Sequence, residues 1–207
     1  MVSGFQKTRA YSQRHYVIVM AFAVVLAVGA LGWYFSTQTT IVWEKDVTNQ
    51  EVKASNQFAR SNPVLLEIPA LNIQTSFVPP LVLQSDQTVS VPDSYTEVGW
   101  YSGGATPGEV GPAVILGHVD SKDGPAIFYP LGQLREGDDI VVTRADGTVA
   151  TFTVTKLQRY PQSNFPTQDV YGPTNEAVLR LVTCTGTFNR GEQKYSHNLV
   201  VFAKLKE

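Results

Sequence analysis

An all-β domain, a sandwich or barrel behind one apolar N-terminal segment, is the fold class the sequence predicts. From Pro63 onward, short runs of β-branched and aromatic residues alternate with Gly, Pro and Asp, the pattern of many short strands joined by tight turns. The chain has 207 residues, with 16 glycines and 12 prolines, enough for one ordinary domain plus some extra chain. Charged residues make up only 16% and hydrophobic ones 43%, which excludes a disordered polar chain and a charge-rich coiled coil. A formal net charge of -2 argues against a dedicated nucleic-acid binder, which would carry a basic stripe. The lone cysteine, Cys184, rules out an intramolecular disulfide and any cysteine-cluster metal site. It is either a buried hydrophobe or a nucleophile.

Taken in order, residues 1–16 carry Lys7, Arg9 and Arg14 and no acidic residue. The run Val17–Phe35 holds 19 residues without a charge, and about 20 helical residues span a bilayer's hydrocarbon core. It is longer than a cleavable signal's apolar region and ends in Trp33, Tyr34 and Phe35, which suit the membrane interface. The expectation is a single-pass signal anchor, with the basic N-terminus cytoplasmic and the rest of the chain extracellular. Residues 36–62 are polar and aperiodic and read as an extracellular stalk. The folded domain is expected over residues 63–207. Its candidate strands are Val64–Ile68, Ser76–Val78, Ala113–Gly117, Asp139–Thr143, Thr148–Gln158, Val178–Thr183 and Asn198–Leu205. Ala145-Asp146-Gly147 marks a hairpin between two of them. The long connections at 79–112, 119–137, 159–177 and 185–197 are candidate functional loops, and only Gly124–Leu134 in the domain looks helical.

The chemistry centres on where strands end. Cys184 follows the apolar run of Leu179–Thr183 and precedes Thr185-Gly186, the point at which a strand leaves the core. A cysteine nucleophile needs a neighbouring base or cation to reach its thiolate form. His118 follows Ala113–Gly117 at another strand exit, so two strands can deliver His118 and Cys184 to one rim. His197, thirteen residues beyond Cys184, is a second candidate. Asp120, two residues after His118, is placed to orient an imidazole. Thr183 and Thr185 flank the nucleophile, where a turn would supply a backbone N–H to an oxyanion. Trp100 and Tyr101 could frame a peptide groove, although core packing is the plainer use of Trp100.

The blocks GPAVILGHVDSKDGPAIF, LREGDDIVV, LRLVTCTGTF and YSHNLVVFAKL resemble the sortase family, in a form similar to the class F sortases of actinobacteria. The resemblance runs from about Pro63 to Leu205, and Gly117-His118 and Thr183-Cys184 are its most specific pairs. It implies a closed eight-stranded sortase β-barrel with one or two short helices, and a cysteine transpeptidase. The implied substrates are secreted proteins with a C-terminal LPxTG-type sorting signal, cleaved between Thr and Gly. Cys184 would hold the acyl group as a thioester, His118 would protonate the leaving amine, and a peptidoglycan-precursor or pilin amine would resolve the thioester. Such acyl transfer uses no metal or organic cofactor.

One departure stands out. The family places an arginine on the last strand to hold the developing oxyanion, and that slot is Asn198 here, with His197 beside it. The amide of Asn198 can donate a hydrogen bond but carries no charge. Arg180, four residues before Cys184 and on the same face by strand alternation, is the first choice to substitute. Arg190, in the loop after Cys184, is the second. Two other readings use the same residues: a membrane-tethered cysteine peptidase that gives its acyl group to water, and a non-enzymatic β-barrel binding module with a structural Cys184. An L,D-type transpeptidase would need a histidine block just before the cysteine, and Leu179–Thr183 contain none.

Overall fold

The computed structural model describes residues 58–206; the expected basic terminus 1–16, membrane segment 17–35 and nearly all of the stalk 36–62 lie outside the described residues. Ten strands follow one another: β1 (Pro63–Ile68), β2 (Ile73–Ser76), β3 (Gly99–Trp100), β4 (Gly111–Leu116), β5 (Asp120–Ser121), β6 (Gly124–Pro125), β7 (Asp139–Arg144), β8 (Val149–Pro161), β9 (Ala177–Asn189) and β10 (Lys194–Leu205). Helical structure is slight: 3-10 turns at Pro69–Leu71, Tyr129–Gln133 and Gln162–Asn164, and one short helix, α1 (Thr167–Tyr171).

Eight strands form one sheet in the order β2-β1-β7-β8-β10-β9-β4-β3, while β5 and β6 pair separately. The sheet is curled and open, which corrects the expected closed barrel. Its edges are joined only by isolated bridges: Phe77 to Val98, supported by hydrogen bonds from Val78 N to Val98 O (2.9 Å) and from Val98 N to Ser76 O (3.3 Å), and Leu81 to Tyr101, where Leu81 N donates to Trp100 O (2.8 Å). The physical reason lies in β2 and β3, four and two residues long, too short to sustain a ladder across the seam.

Burial follows pattern. β7 alternates half-buried and buried residues, as expected of a strand with one face on the core. β4 is buried at five of its six positions, because both of its faces are covered. On one side Ala113 and Ile115 join the main core with Leu66, Phe152, Leu181 and Val201. On the other, Val114 meets Val182, Val200, Phe202 and Val170 of α1. α1 and the 3-10 turn before it occupy the connection 159–177, where the sequence predicts a loop. Conversely, Gly124–Leu134, expected to be helical, is a two-residue strand followed by a 3-10 turn. The expected loop 185–197 is mostly strand: β9 and β10 continue as a hairpin to Asn189 and from Lys194.

Residues 58–62 belong with the domain rather than with a stalk. The ring of Phe58 packs on the main core and lies 4.9 Å from the Arg144 guanidinium, which donates to the carbonyl of Ala59. Arg60 donates to the carbonyls of Ser102 (3.0 Å) and Gly104 (3.2 Å) and lies over the Trp100 ring.

Candidate active site

β4 and β9 run parallel, with Leu116 level with Val182. Gly117 N then donates to Val182 O (3.2 Å), and Thr183 Oγ1 donates to Gly117 O at 2.7 Å. The two strands are thus locked one residue before His118 on one and Cys184 on the other, so these side chains emerge at the same level of neighbouring strands. Thr183 is 4% exposed, and its hydroxyl serves this clamp. Gly117 is required because a Cβ there would come within 2.5 Å of the Phe128 ring, which closes over the strand end from the following loop.

His118 is half-buried. Its Nε2 lies 2.8 Å from Pro92 O; a carbonyl only accepts, so Nε2 carries the proton and Nδ1 is the acceptor in the neutral ring. Tyr95 packs against the imidazole with ring centroids 4.7 Å apart. His118 and Cys184 make no hydrogen bond to each other; proton-transfer contacts of this kind are often long in ligand-free structures.

Cys184 is a half-buried free thiol. Burial pushes its pKa up, and the Asp120 carboxylate adds to the rise. Asp120 accepts a hydrogen bond from Tyr195 Oη, which pushes the Tyr195 hydroxyl up to about 12. Asp120 therefore bridges to β10 beside the thiol, and makes no hydrogen bond to His118. Across the β9–β10 ladder Cys184 faces Asn198. Gln162, the first residue after β8, donates through Nε2 to Asn198 Oδ1 at 3.1 Å and lies 3.9 Å from Cys184 Sγ.

The remaining candidates sit elsewhere. Arg180 shares a face with Cys184, as alternation requires, but four residues of strand separate them by about 13 Å. Its guanidinium stacks over Phe202, 4.5 Å from the ring centroid, and donates to Leu179 O rather than to the thiol. Arg190 is exposed at the turn between β9 and β10. His197 is one residue out of step with Asn198, so it points to the opposite face, where Nδ1 contacts Ser196 Oγ at 2.8 Å. Thr185 lies within β9, opposite His197, so no turn is present there. Gly186 follows with φ of 88°, and a Cβ on it would strike Ser196 Oγ. Trp100 is a core residue whose indole donates to Ala105 O, while Tyr101 packs edge-on against Tyr171. Among the described residues no cluster of three or more His, Cys, Asp or Glu could hold a metal.

The family model for the sortase domain matches residues 66–206. The chain belongs to the sortase family. Solved sortases share its fold at low identity. Sortase A from Corynebacterium diphtheriae superposes with a TM-score of 0.54 at 22% identity, over 72% of this chain and 62% of that one. For sortase C-1 from Actinomyces oris the values are 0.52 and 20%, over 69% and 73%. For sortase C1 from Streptococcus agalactiae they are 0.53 and 20%, over 70% and 67%. This sortase therefore spans less than two thirds of the length of the C. diphtheriae structure. No curated protein matches it in sequence.

Sequence reasoning missed Gln162, Tyr195, Pro92 and Tyr95. A glutamine in a polar loop carries no pattern of its own. Its placement opposite Asn198 follows from the pairing of Tyr160 with Asn198, which requires the strand register.

Proposed function

We propose that this sortase is a membrane-anchored cysteine transpeptidase, of a form similar to class F, acting on LPxTG-type sorting signals of secreted proteins. The observation that carries the reading is the shared level of His118 and Cys184 on β4 and β9, fixed by the Thr183 clamp. Membrane anchoring rests on the uncharged run Val17–Phe35.

The chemistry follows from the two groups. Burial and Asp120 keep Cys184 mostly a thiol, so reaction begins with proton transfer from Sγ to the His118 imidazole. The thiolate attacks the Thr carbonyl carbon, and the carbonyl electron pair moves to oxygen. As the pair returns, the C–N bond breaks and the imidazolium gives its proton to the glycine amine. The resulting thioester is opened by an incoming amine, whose proton His118 accepts, and Cys184 leaves as thiolate. A peptidoglycan-precursor or pilin amine fits this second step. Water entering instead would give hydrolysis.

Intact-mass analysis of the full chain with an LPETG-containing peptide tests the reading. A thioester adduct on wild type and none on Cys184→Ala is the expected result, with conversion to an amide product on adding a glycine-type amine. Absence of an adduct with every sorting-type peptide would overturn it, and acid as the sole product would make the protein a hydrolase.

A further inference from the structure

The family's last-strand arginine is replaced by Asn198, and the arginines nearest in sequence do not reach the thiol. What does reach it is an amide. We infer that Gln162, held by Asn198, is the catalytic hydrogen-bond donor that stabilises the Cys184 thiolate and then the oxyanion formed beside it. The inference deepens the proposed acyl transfer and rests on that reading for its second half.

Three neighbouring strands build the arrangement. β10 lies between β8 and β9, and Asn198 pairs with Tyr160 on one side and Cys184 on the other. β8 ends at Pro161, and the 3-10 turn beginning at Gln162 swings that side chain back over Asn198 toward β9. Asn198 Oδ1 accepts from Gln162 Nε2 at 3.1 Å, and the same nitrogen lies 3.9 Å from Cys184 Sγ. An amide nitrogen has two protons, so one holds Asn198 and the other is free for sulfur. Accepting with Oδ1 also fixes the flip of Asn198 and leaves its own NH2 unspent on the same face.

The electrostatics give this donor its task. Burial and the Asp120 carboxylate both disfavour the thiolate, and no cation offsets them in the described site. A neutral donor can favour the anionic sulfur by hydrogen bonding alone. When the Sγ–C bond forms, the negative charge passes from sulfur to the carbonyl oxygen, within reach of the Gln162 and Asn198 amides. The oxygen's electron pair then re-forms the C=O bond, the C–N pair leaves on nitrogen, and His118 protonates the amine.

The test uses the full chain and reads the pH dependence of Cys184 alkylation by iodoacetamide, which follows thiolate content without any peptide. Gln162→Ala is expected to move the alkylation midpoint to higher pH. Gln162→Glu, equal in length but acceptor-only when ionised, is expected to move it further. Asn198→Ala, which frees the glutamine to turn, should reproduce part of the shift, and the double variant should show less than the sum. With an LPETG-containing peptide, Gln162→Ala is expected to lower kcat about 10²-fold with little change in KM, the size of effect seen on losing one oxyanion donor. A Gln162→Ala midpoint equal to wild type, with an unchanged thermal melt showing an intact fold, would overturn the inference. A wild-type chain that forms no acyl adduct would overturn the sorting reaction instead, while the midpoint shift still decides whether Gln162 serves the thiol.

Discussion

At the level of single residues, Cys184 sits among influences that mostly oppose its ionisation. Its pKa is raised first by burial and then by Asp120. A carboxylate beside a forming thiolate raises the energy of the anion, so removing that charge must lower the thiol pKa. Asp120→Asn removes it while Oδ1 can still accept from Tyr195, so the bridge to β10 survives. Alkylation of Cys184 near neutral pH is expected to run about threefold faster or more in this variant, a modest effect because the half-exposed pair interacts through a high effective dielectric. A slower reaction would show that the Asp120 charge does not act on the thiol. Arg180 is a contrasting residue. Its guanidinium packs on Phe202 and its Nε has no partner, so Arg180→Ala is expected to cost about 1 kcal/mol of stability through the lost cation–π contact. With the guanidinium turned toward Leu179 O, kcat should stay within about threefold of wild type, well short of the loss expected for an oxyanion donor. A 10²-fold fall at an unchanged melting temperature would restore Arg180 as the substitute for the missing arginine.

Between elements, the β4–β9 junction aligns the two side chains proposed to react, His118 and Cys184. Thr183→Val keeps the shape of the side chain but removes the hydroxyl that donates to Gly117 O, leaving a carbonyl without that donor in a buried place. The expected cost is about 1–3 kcal/mol, read in a denaturant melt, with kcat falling more than KM rises because His118 loses its fixed level. Equal kcat would mean that the ladder alone holds the histidine. This junction also explains how much was legible in the sequence. Strands with a buried face are legible, as Asp139–Thr143 and Val178–Thr183 are through apolar runs or alternation. His118 and Cys184 were legible because each ends such a run. The hairpin arms beyond Cys184 were not, since residues 186–194 are exposed on both faces and polar sequence there carries no period. Strands as short as β3, β5 and β6 cannot display a period of two at all. Gln162 was illegible for a different reason: its partners are fixed by pairing across three strands, while its neighbours in sequence are an ordinary polar turn.

For the whole molecule, the question is where the folded unit begins. Composition suggested a stalk reaching residue 62, yet Phe58–Ser61 are tied into the domain by two arginines working in opposite directions. Arg60 reaches outward from the segment to Ser102, Gly104 and Glu109. Arg144 reaches from the end of β7 to the segment. It is 1% exposed, and each guanidinium donor left unpaired at such a depth costs stability. Its two terminal nitrogens are partnered by Thr148 Oγ1 at 3.0 Å, the Asp146 carboxylate at 3.5 Å and the Ala59 carbonyl, its Nε has no partner, and the Phe58 ring covers one face. A chain cut to begin at Pro63 keeps every strand but loses Ala59 and Phe58, so Arg144 keeps its charge without part of its shell. Beginning at Pro63 instead of Phe58 is therefore expected to destabilise the domain by about 2 kcal/mol or more, a fall of roughly 4–8 °C in Tm for a domain of this size. Adding Arg144→Met to the shortened chain removes the stranded charge and should recover part of that loss, whereas the same substitution with Phe58–Asn62 present should destabilise. Equal melting temperatures for chains beginning at Phe58 and at Pro63 would return the segment to the stalk and leave the buried guanidinium supported by the β7–β8 turn alone.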